Sequence, residues 1–181
     1  MVNDSRDQPA GGRFEGGEHR FPVRVYFEDT DLSGVVYHAN YLRFMERARS
    51  DMLRAAGIDQ RAAMEAGEGA YAVARMNIRY LQPARLDDAL VVASKLMKVQ
   101  AAYCVVHQSV RRGGVILTEA EVVAAWVAPE GGPKRQPAAW IARFKELMVG
   151  EPVARIRSSR PTRRRCRRWR CSSRPISWSR R

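Results

Sequence analysis

The sequence predicts an α+β domain in which one antiparallel sheet of five strands packs against one long helix. Residues 21–28 alternate apolar and polar side chains, which is typical of a half-buried strand. Residues 39–56 repeat apolar side chains every three or four positions, which is typical of an amphipathic helix. Four strand-like segments follow with no helix between them, so consecutive antiparallel pairing is the simplest topology. Only the long helix is then available to cover the sheet.

The first strand, "FPVRVYFED", is expected to place three apolar side chains on one face. These are Val23, Val25 and Phe27, with polar or exposed neighbours between them. Its alternation predicts that one side of this strand faces the core and the other faces solvent.

The remaining elements follow from helix caps and turn residues. Gly57 is suited to the left-handed residue that closes the long helix. Asp59 is placed to cap a short second helix that ends at Gly67. The four later strands are predicted at 70–82, 89–100, 102–111 and 115–128, and a short terminal helix at 138–148.

Composition divides the chain into three parts. Residues 1–19 are polar and carry two Gly-Gly pairs, which predicts a disordered N-terminal segment. Residues 20–148 have the length and patterning of one folded domain. Residues 149–181 are rich in Arg, Ser and Pro without periodicity, which predicts a disordered tail.

The net charge of +13 lies almost entirely in that tail, which holds twelve Arg, no Lys and one acid. The other 148 residues hold 20 basic and 18 acidic side chains. One interpretation is a basic arm that binds nucleic acid or anionic lipid, since Arg with interleaved Trp suits phosphates and bases. The other, which we favour, is translation of a shifted reading frame in GC-rich DNA. No specific nucleic-acid partner is therefore predicted.

Several other classes of protein are not expected. No stretch approaches the roughly 20 apolar residues of a membrane span, so no transmembrane segment is predicted. The first residues lack the apolar segment of a secretory signal, which favours a cytoplasmic location. Cys104, Cys166 and Cys171 form neither a disulfide framework nor a set of zinc ligands, so no metal site is predicted.

The stretch "EDTDLSGVVYHANY" joins the first strand to the long helix and combines acids with a helix start. The backbone N–H groups near Tyr37 and His38 would carry partial positive charge and attract a developing oxyanion. Gly34 permits a sharp bend or a close approach to a ligand. Asp29 or Asp31 could face a carbonyl held there, which is the minimum arrangement for acyl transfer to water. The residues alone leave both acids open, and leave open a solvated strand end with no chemistry.

The segment "VRVYFEDTDLSGVVYHANYLRFMERARSDMLR", with "YLQPARLDD" and "TEAEVVAAWVAP", resembles a known family. It is similar to the 4-hydroxybenzoyl-CoA thioesterase-like hotdog proteins over about residues 21–147. Within that family it resembles the acyl-CoA thioesterases encoded with the Tol-Pal envelope system of Gram-negative bacteria. The resemblance implies a hotdog fold, in which a five-stranded antiparallel sheet wraps around a central helix. That fold agrees with the order of elements deduced above.

The resemblance also implies roles for residues of the turn. Asp31 matches the catalytic carboxylate, which acts as general base on water or as nucleophile. His38 matches the residue that opens the central helix and gives its backbone N–H to the thioester oxygen, and its imidazole could add a hydrogen bond. Asn40 is assigned a site-shaping role at the helix start. Gly34 and Tyr37 are expected among the residues that bind substrate.

Other polar residues have weaker assignments. Arg85 and Lys98 are candidates for binding the phosphates of coenzyme A. Asp29 is expected to be structural, because the motif places the reacting acid two residues later. Glu46 is expected to be solvated or salt-bridged, although other hotdog lineages carry a catalytic acid on this helix. His107 is expected to be an ordinary sheet residue.

The predicted function is an acyl-CoA thioesterase that releases a free carboxylic acid and coenzyme A. No cofactor is predicted, because coenzyme A is part of the substrate. The resemblance implies a homodimer or homotetramer, and an acyl carrier protein is a possible further partner. The alternative is a hotdog protein of envelope or lipid metabolism that binds acyl-CoA or acyl carrier protein without hydrolysis. The acyl chain itself is not predicted by the sequence.

Overall fold

A computed structural model of the chain describes residues 9–148. The six strands are β1 (Arg13–Glu15), β2 (Glu18–Arg24), β3 (Ala70–Tyr80), β4 (Ala89–Val99), β5 (Tyr103–Arg112) and β6 (Val115–Val127). The three α-helices are α1 (His38–Ala55), α2 (Gln60–Glu65) and α3 (Ala138–Met148). The four strands and three helices predicted after the turn are confirmed, with boundaries within about two residues. The Arg-rich tail at 149–181 lies outside the described residues.

The strands form one antiparallel sheet in the order β1-β2-β4-β5-β6-β3. The predicted α+β architecture is confirmed, but the predicted count of five strands is wrong, since the sheet has six. α1 covers one face of the sheet, and its buried side chains share a core with those of β4, β5 and β6. Tyr41, Phe44, Met45 and Ala48 of α1 lie in this core, which is the apolar stripe that the sequence predicts.

The additional strand belongs to an N-terminal hairpin. Disorder was predicted for residues 1–19, and this prediction is wrong for the described residues 13–19, which form β1 and the first part of β2. Gly16 and Gly17 have φ of 54° and 79°, the conformation of a two-residue hairpin turn. The second Gly-Gly pair therefore marks a turn, whereas the sequence analysis interpreted it as disorder.

A buried polar contact holds this hairpin against α1. His19 is fully buried, and its Nε2 lies 3.0 Å from Oδ2 of Asp51 in the second half of α1. The backbone N–H of Gly12 donates to the same oxygen at 2.7 Å. The ring of Phe14 packs edge-on against the imidazole at 5.2 Å between centroids. Burial lowers the pKa of His19, while the Asp51 carboxylate opposes that shift.

The strand predicted at 21–28 ends earlier than expected. β2 stops at Arg24, and the chain enters a short 3₁₀ turn over Phe27–Asp29. Val25 is fully buried as predicted, but Phe27 is 82% exposed and does not share its face. The turn breaks the alternation because its backbone no longer points successive side chains to opposite faces.

β3 is a long edge strand that pairs only with β6 within the described chain. A bulge between Val73 and Arg75 interrupts its register. Five of its side chains turn toward α1 on both sides of this bulge: Tyr71, Val73, Met76, Ile78 and Tyr80. Val73 and Tyr80 remain about half exposed, so this border between α1 and β3 is open.

α3 covers the end of the core opposite the turn. Phe144 is fully buried, and Trp140 stacks with Tyr71 at 6.1 Å between ring centroids. Gln136, just before α3, accepts a hydrogen bond from the Tyr71 hydroxyl and donates to the carbonyl of Gln100 at 2.7 Å. None of the helices within residues 9–148 has the length and apolar character needed to cross a membrane.

Candidate active site

The turn between β2 and α1 is a small hairpin of its own. Thr30 and Val36 form an isolated antiparallel bridge, and the N–H of Asp31 donates to the carbonyl of Val35 at 3.0 Å. Gly34 donates its N–H to the carbonyl of Asp31 at 2.9 Å and has φ of 73°. A side chain at Gly34 would be strained in this conformation, so the glycine provides the sharp bend that the sequence predicts. The bridge places Asp31 and the start of α1 on the two arms of one short hairpin.

Asp31 presents its carboxylate to solvent on this hairpin. Oδ1 accepts the Ser33 backbone N–H at 2.8 Å and also accepts the Ser33 hydroxyl. The Ser33 hydroxyl, followed by the Ser33 backbone N–H, lowers the pKa of Asp31 below its ordinary value. The residue is therefore held as a carboxylate, and the hydrogen bonds from Ser33 occupy only its Oδ1.

Asp29 has a different environment from Asp31. It is buried, and its Oδ2 accepts the backbone N–H of Tyr26 at 2.9 Å. Its carbonyl accepts the N–H of Tyr37 at 2.9 Å and the side-chain amide of Asn40 at 3.0 Å. The contacts of Asp29 are all structural, which separates two acids that the residues alone left equivalent. Asn40 fixes the start of α1 against the 3₁₀ turn.

α1 begins at His38, and no side chain caps it. Tyr37 occupies the N-cap position, but its own N–H is bonded to the carbonyl of Asp29. Of the N–H groups expected to face a ligand, that of Tyr37 is therefore engaged, and the first helical turn from His38 onward supplies the donors. An uncapped helix start is a site for an anion or an oxyanion, because its N–H groups carry partial positive charge.

Aromatic rings surround the exposed imidazole of His38. The ring of Tyr37 lies 4.4 Å and that of Tyr80 lies 6.3 Å away between centroids. The Tyr80 hydroxyl donates to the backbone carbonyl of His38 at 3.2 Å. The rings border a cleft of about 310 Å³, lined by Val36, His38, Tyr41, Tyr80, Leu81, Gln82 and Pro83. Tyr80 is not among the site residues predicted from the sequence, although it begins the block "YLQPARLDD".

Arg85 is brought to the turn by backbone pairing. It forms an isolated bridge with Val35, and the N–H of Val36 donates to the carbonyl of Ala84 at 2.9 Å. The Ala84 N–H in turn donates to the hydroxyl of the buried Tyr41 at 2.8 Å. The backbone of Arg85 is therefore held next to the turn, and its side chain is exposed.

Lys98 is not brought to this turn within one chain. β4 begins next to the turn at Ala89 and runs away from it. Lys98 is nine residues farther along the strand, so at about 3.4 Å per residue it lies roughly 30 Å from Ala89. Sequence order alone could not show this, because the direction of β4 relative to the turn depends on the sheet topology. Glu46 lies on α1 and pairs with Arg49, which agrees with the expected salt-bridged role.

The side chains that could bind a metal ion are not clustered in the part of the chain that the structure describes. Between residues 9 and 148 no group of three or more His, Cys, Asp or Glu side chains is arranged to hold a metal ion. Cys104 is buried in the core, and burial raises the pKa of its thiol to about 11. It is therefore a thiol at neutral pH and a poor nucleophile.

Comparison with known proteins identifies the family. The sequence profile of the Thioesterase superfamily matches residues 33–126. The chain belongs to the thioesterase superfamily. It is 43% identical over 129 residues to the acyl-CoA thioester hydrolase YbgC of Escherichia coli, covering 70% of this chain and 96% of that protein. It is 41% identical over 125 residues to the acyl-CoA thioesterase YbgC of Haemophilus influenzae, covering 66% and 92%.

A solved structure supports the same thioesterase fold. The probable thioesterase from Bartonella henselae is 37% identical and superposes with a TM-score of 0.63, covering 66% of this chain and 99% of that one. The hotdog fold implied by the resemblance is confirmed, and the protein is a thioester hydrolase. The superfamily match begins at Ser33, two residues after Asp31.

Proposed function

We propose that the protein is an acyl-CoA thioesterase that releases a free carboxylic acid and coenzyme A. The observation that carries this proposal is the short hairpin that joins the Asp31 carboxylate to the uncapped start of α1 at His38. Membership of the thioesterase superfamily, and relatives described as acyl-CoA thioester hydrolases, support the reaction class. The reaction needs only water and a substrate that carries its own coenzyme A.

In the proposed reaction the backbone N–H of His38 donates to the thioester carbonyl oxygen. This donor stabilises the negative charge that forms on the oxygen as the carbonyl carbon is attacked. As general base, Asp31 takes a proton from water, the water oxygen bonds to the carbonyl carbon, and the C–S bond breaks. The coenzyme A thiolate then takes up a proton. As nucleophile, Asp31 itself bonds to that carbon, expels the thiolate, and leaves a mixed anhydride that water hydrolyses.

The surrounding residues have supporting roles in the proposal. Gly34 and Asn40 shape the hairpin and the helix start, and Tyr37 lines the approach to His38. Arg85 binds a phosphate of coenzyme A at the rim, since a guanidinium pairs with phosphate oxygens in two parallel hydrogen bonds. Lys98 is not included, because of its distance from the turn in the same chain.

Assembly and location are also proposed. Two copies would join along the open edge of β3, which covers an 11-residue strand that the described chain leaves unpaired on one side. Such a homodimer could pair again into a homotetramer. We place the protein in the cytoplasm, where acyl-CoA is available, and an acyl carrier protein could present the same thioester. The link to the Tol-Pal system stays a prediction.

Replacing Asp31 with Asn tests the proposed chemistry. Asp31→Asn keeps the size of the side chain and removes its ability to act as base or nucleophile, so thiol release should fall by at least about 100-fold. Glu28→Gln is the matched control, because Glu28 is an exposed acid in the same segment. The activity of Glu28→Gln should stay near that of the parent, and so should the melting temperatures of both variants. Full thiol release by Asp31→Asn would contradict the proposal.

The non-hydrolytic alternative is tested with the unaltered protein. Acyl-CoAs of several chain lengths are added, thiol release is followed with a chromogenic reagent, and binding is followed by calorimetry. Saturable binding without thiol release from any substrate would favour a binding protein over the thioesterase.

A further inference from the structure

A groove follows α1 along its border with β3. His38, Leu42, Glu46 and Arg49 are spaced four, four and three residues apart and therefore lie on one face of α1. A cavity of about 640 Å³ lies along this face, lined by Leu42, Arg43, Glu46, Arg47, Arg49, Val73 and Met76. Tyr80 contacts the helix start, so β3 runs antiparallel to α1, and the cleft at His38 lies on the same border toward the start of the helix.

The floor of the groove is apolar. Leu42 from the helix and Val73 from the strand are 36% and 48% exposed, and Met76 lies partly buried between them. Arg43 and Arg47 are exposed at the rim, where their aliphatic stems can extend the apolar surface. An acyl chain attached to a carbonyl at His38 would bury this exposed surface, which is favourable by the hydrophobic effect.

The groove ends at Arg49, whose guanidinium is buried. Only 8% of this residue is exposed, and its Nη1 donates to Oε1 of Gln108 at 2.7 Å while Nη2 pairs with the Glu46 carboxylate. Gln108 is itself fixed, since its amide donates to the Met45 carbonyl at 3.0 Å and to the Ser94 hydroxyl at 2.9 Å. Displacing Arg49 would leave buried polar groups without partners, which is costly.

A small cavity lies on the inner side of Arg49. Its volume is about 60 Å³, and its lining combines apolar side chains such as Leu53 and Phe144 with polar ones such as Ser50 and Gln60. Arg49 lines both this cavity and the groove, so its guanidinium lies at the boundary between them.

We infer that Arg49, held in place by Glu46 and Gln108, sets the maximum length of the acyl chain that the enzyme accepts. This inference rests on the proposed function. Eleven residues of helix at about 1.5 Å each separate His38 from Arg49 by roughly 16 Å. Long side chains on a helix lean toward its N-terminus. The Arg49 side chain therefore reaches back by about one helical turn of 5.4 Å, which shortens the space between His38 and the guanidinium by that amount. An extended carbon chain advances roughly 1.3 Å per carbon, because bonds of about 1.5 Å zigzag, so about eight carbons fit.

Replacing Arg49 with Met tests directly whether this residue limits the length of the acyl chain. The parent enzyme should have its highest kcat/KM at or below about eight carbons and lose at least tenfold by sixteen. Arg49→Met removes the charge and puts a flexible apolar side chain in its place. The ratio of sixteen-carbon to six-carbon kcat/KM should rise at least tenfold in this variant. Arg61→Met removes one charge from the exposed surface of α2 and should leave the ratio unchanged.

A second variant moves the limit in the opposite direction. Leu42→Trp fills the groove one helical turn from His38, at a partly exposed position where the larger ring does not disturb the core. The ratio of eight-carbon to two-carbon kcat/KM should fall at least tenfold in this variant. Leu42→Trp keeps the test decisive should Arg49→Met fail to fold.

The inference is wrong if both variants keep the chain-length profile of the parent, or if the parent hydrolyses sixteen and six carbons equally well. Absence of thiol release from every substrate would instead contradict the proposed function. In that case the same panel is measured by calorimetric binding, where the length limit should appear in Kd and should shift in both variants as described.

Discussion

At its N-terminal end α1 begins without a capping side chain, whereas its second half is held by buried polar contacts. His38 leaves first-turn N–H groups for a ligand, and nearby Asp31 keeps one carboxylate oxygen toward solvent. Farther along, Arg49 and Asp51 are buried and paired with Gln108 and His19. Polar groups with unused hydrogen-bonding capacity therefore lie at the end of the helix where the reaction is proposed to occur. Polar groups whose capacity is filled hold the fold.

At the N-terminal end of α1, a large loss of activity is also expected from removing one N–H group. His38→Pro deletes the backbone donor, and proline is well accommodated at the first position of a helix. Tyr37 has ψ of 132°, which suits a residue that precedes proline. Thiol release should fall roughly 100-fold, the usual cost of losing one oxyanion donor, with little change in melting temperature.

His38→Ala is the matched control, since it removes the imidazole and keeps the N–H. It should retain most of the activity. Equal losses in His38→Pro and His38→Ala would show that the imidazole, and not the backbone donor, carries the effect.

In the second half of α1, where the polar groups are paired, a substitution is expected to change stability. Asp51→Ala leaves the buried His19 ring and the Gly12 N–H without their acceptor, which should cost about 3 kcal/mol of unfolding free energy. The melting temperature should fall by roughly 10 °C, while kcat measured well below that temperature stays near the parent value. Arg54→Ala removes only an exposed pair with Asp51, and should cost under about 1 kcal/mol. A large loss of kcat in folded Asp51→Ala would contradict the separation of the two ends.

The smallest effect is a shift of pH dependence. The proposed reaction needs Asp31 as a carboxylate, and the Ser33 hydroxyl holds its pKa below the ordinary value. Activity should therefore persist as pH falls until that lowered pKa is reached. Ser33→Ala raises the pKa, so the acid limb of kcat/KM should move to higher pH. Ser33→Thr keeps the hydroxyl and should not move it. Carbon NMR titration of the Asp31 carboxyl measures the pKa directly, and an unchanged value in Ser33→Ala would refute the assignment.

The elements after the turn could be predicted because their patterns are long and regular. α1 carries a continuous apolar stripe, and the strands of the sheet are bounded by clear turn residues. The N-terminal hairpin was missed because β1 has three residues, and its contact with α1 includes one buried hydrogen bond between His19 and Asp51. Periodicity cannot detect a contact between residues 32 positions apart. The Gly16-Gly17 pair between two short polar segments was the available signal.

The site could be predicted only in part. Resemblance selected Asp31 and His38, and the structure adds that Asp31 lies on a short hairpin of residues 30–36 that leads into α1 at His38. The burial of Asp29, the contact of Tyr80 with the helix start and the distance of Lys98 all depend on how the sheet closes. These features arise from tertiary packing, which a single sequence does not encode in any local pattern.

Hydrogen exchange at the open edge of β3 should report whether two copies of the chain are associated. Alternate amide groups of this strand point away from β6 and have no strand partner in residues 9–148. In a lone chain these amides should exchange their protons with deuterated solvent within seconds to minutes, unlike those of the central β5. Dilution followed by mass spectrometry of the β3 peptide would therefore measure association without a label or a substrate.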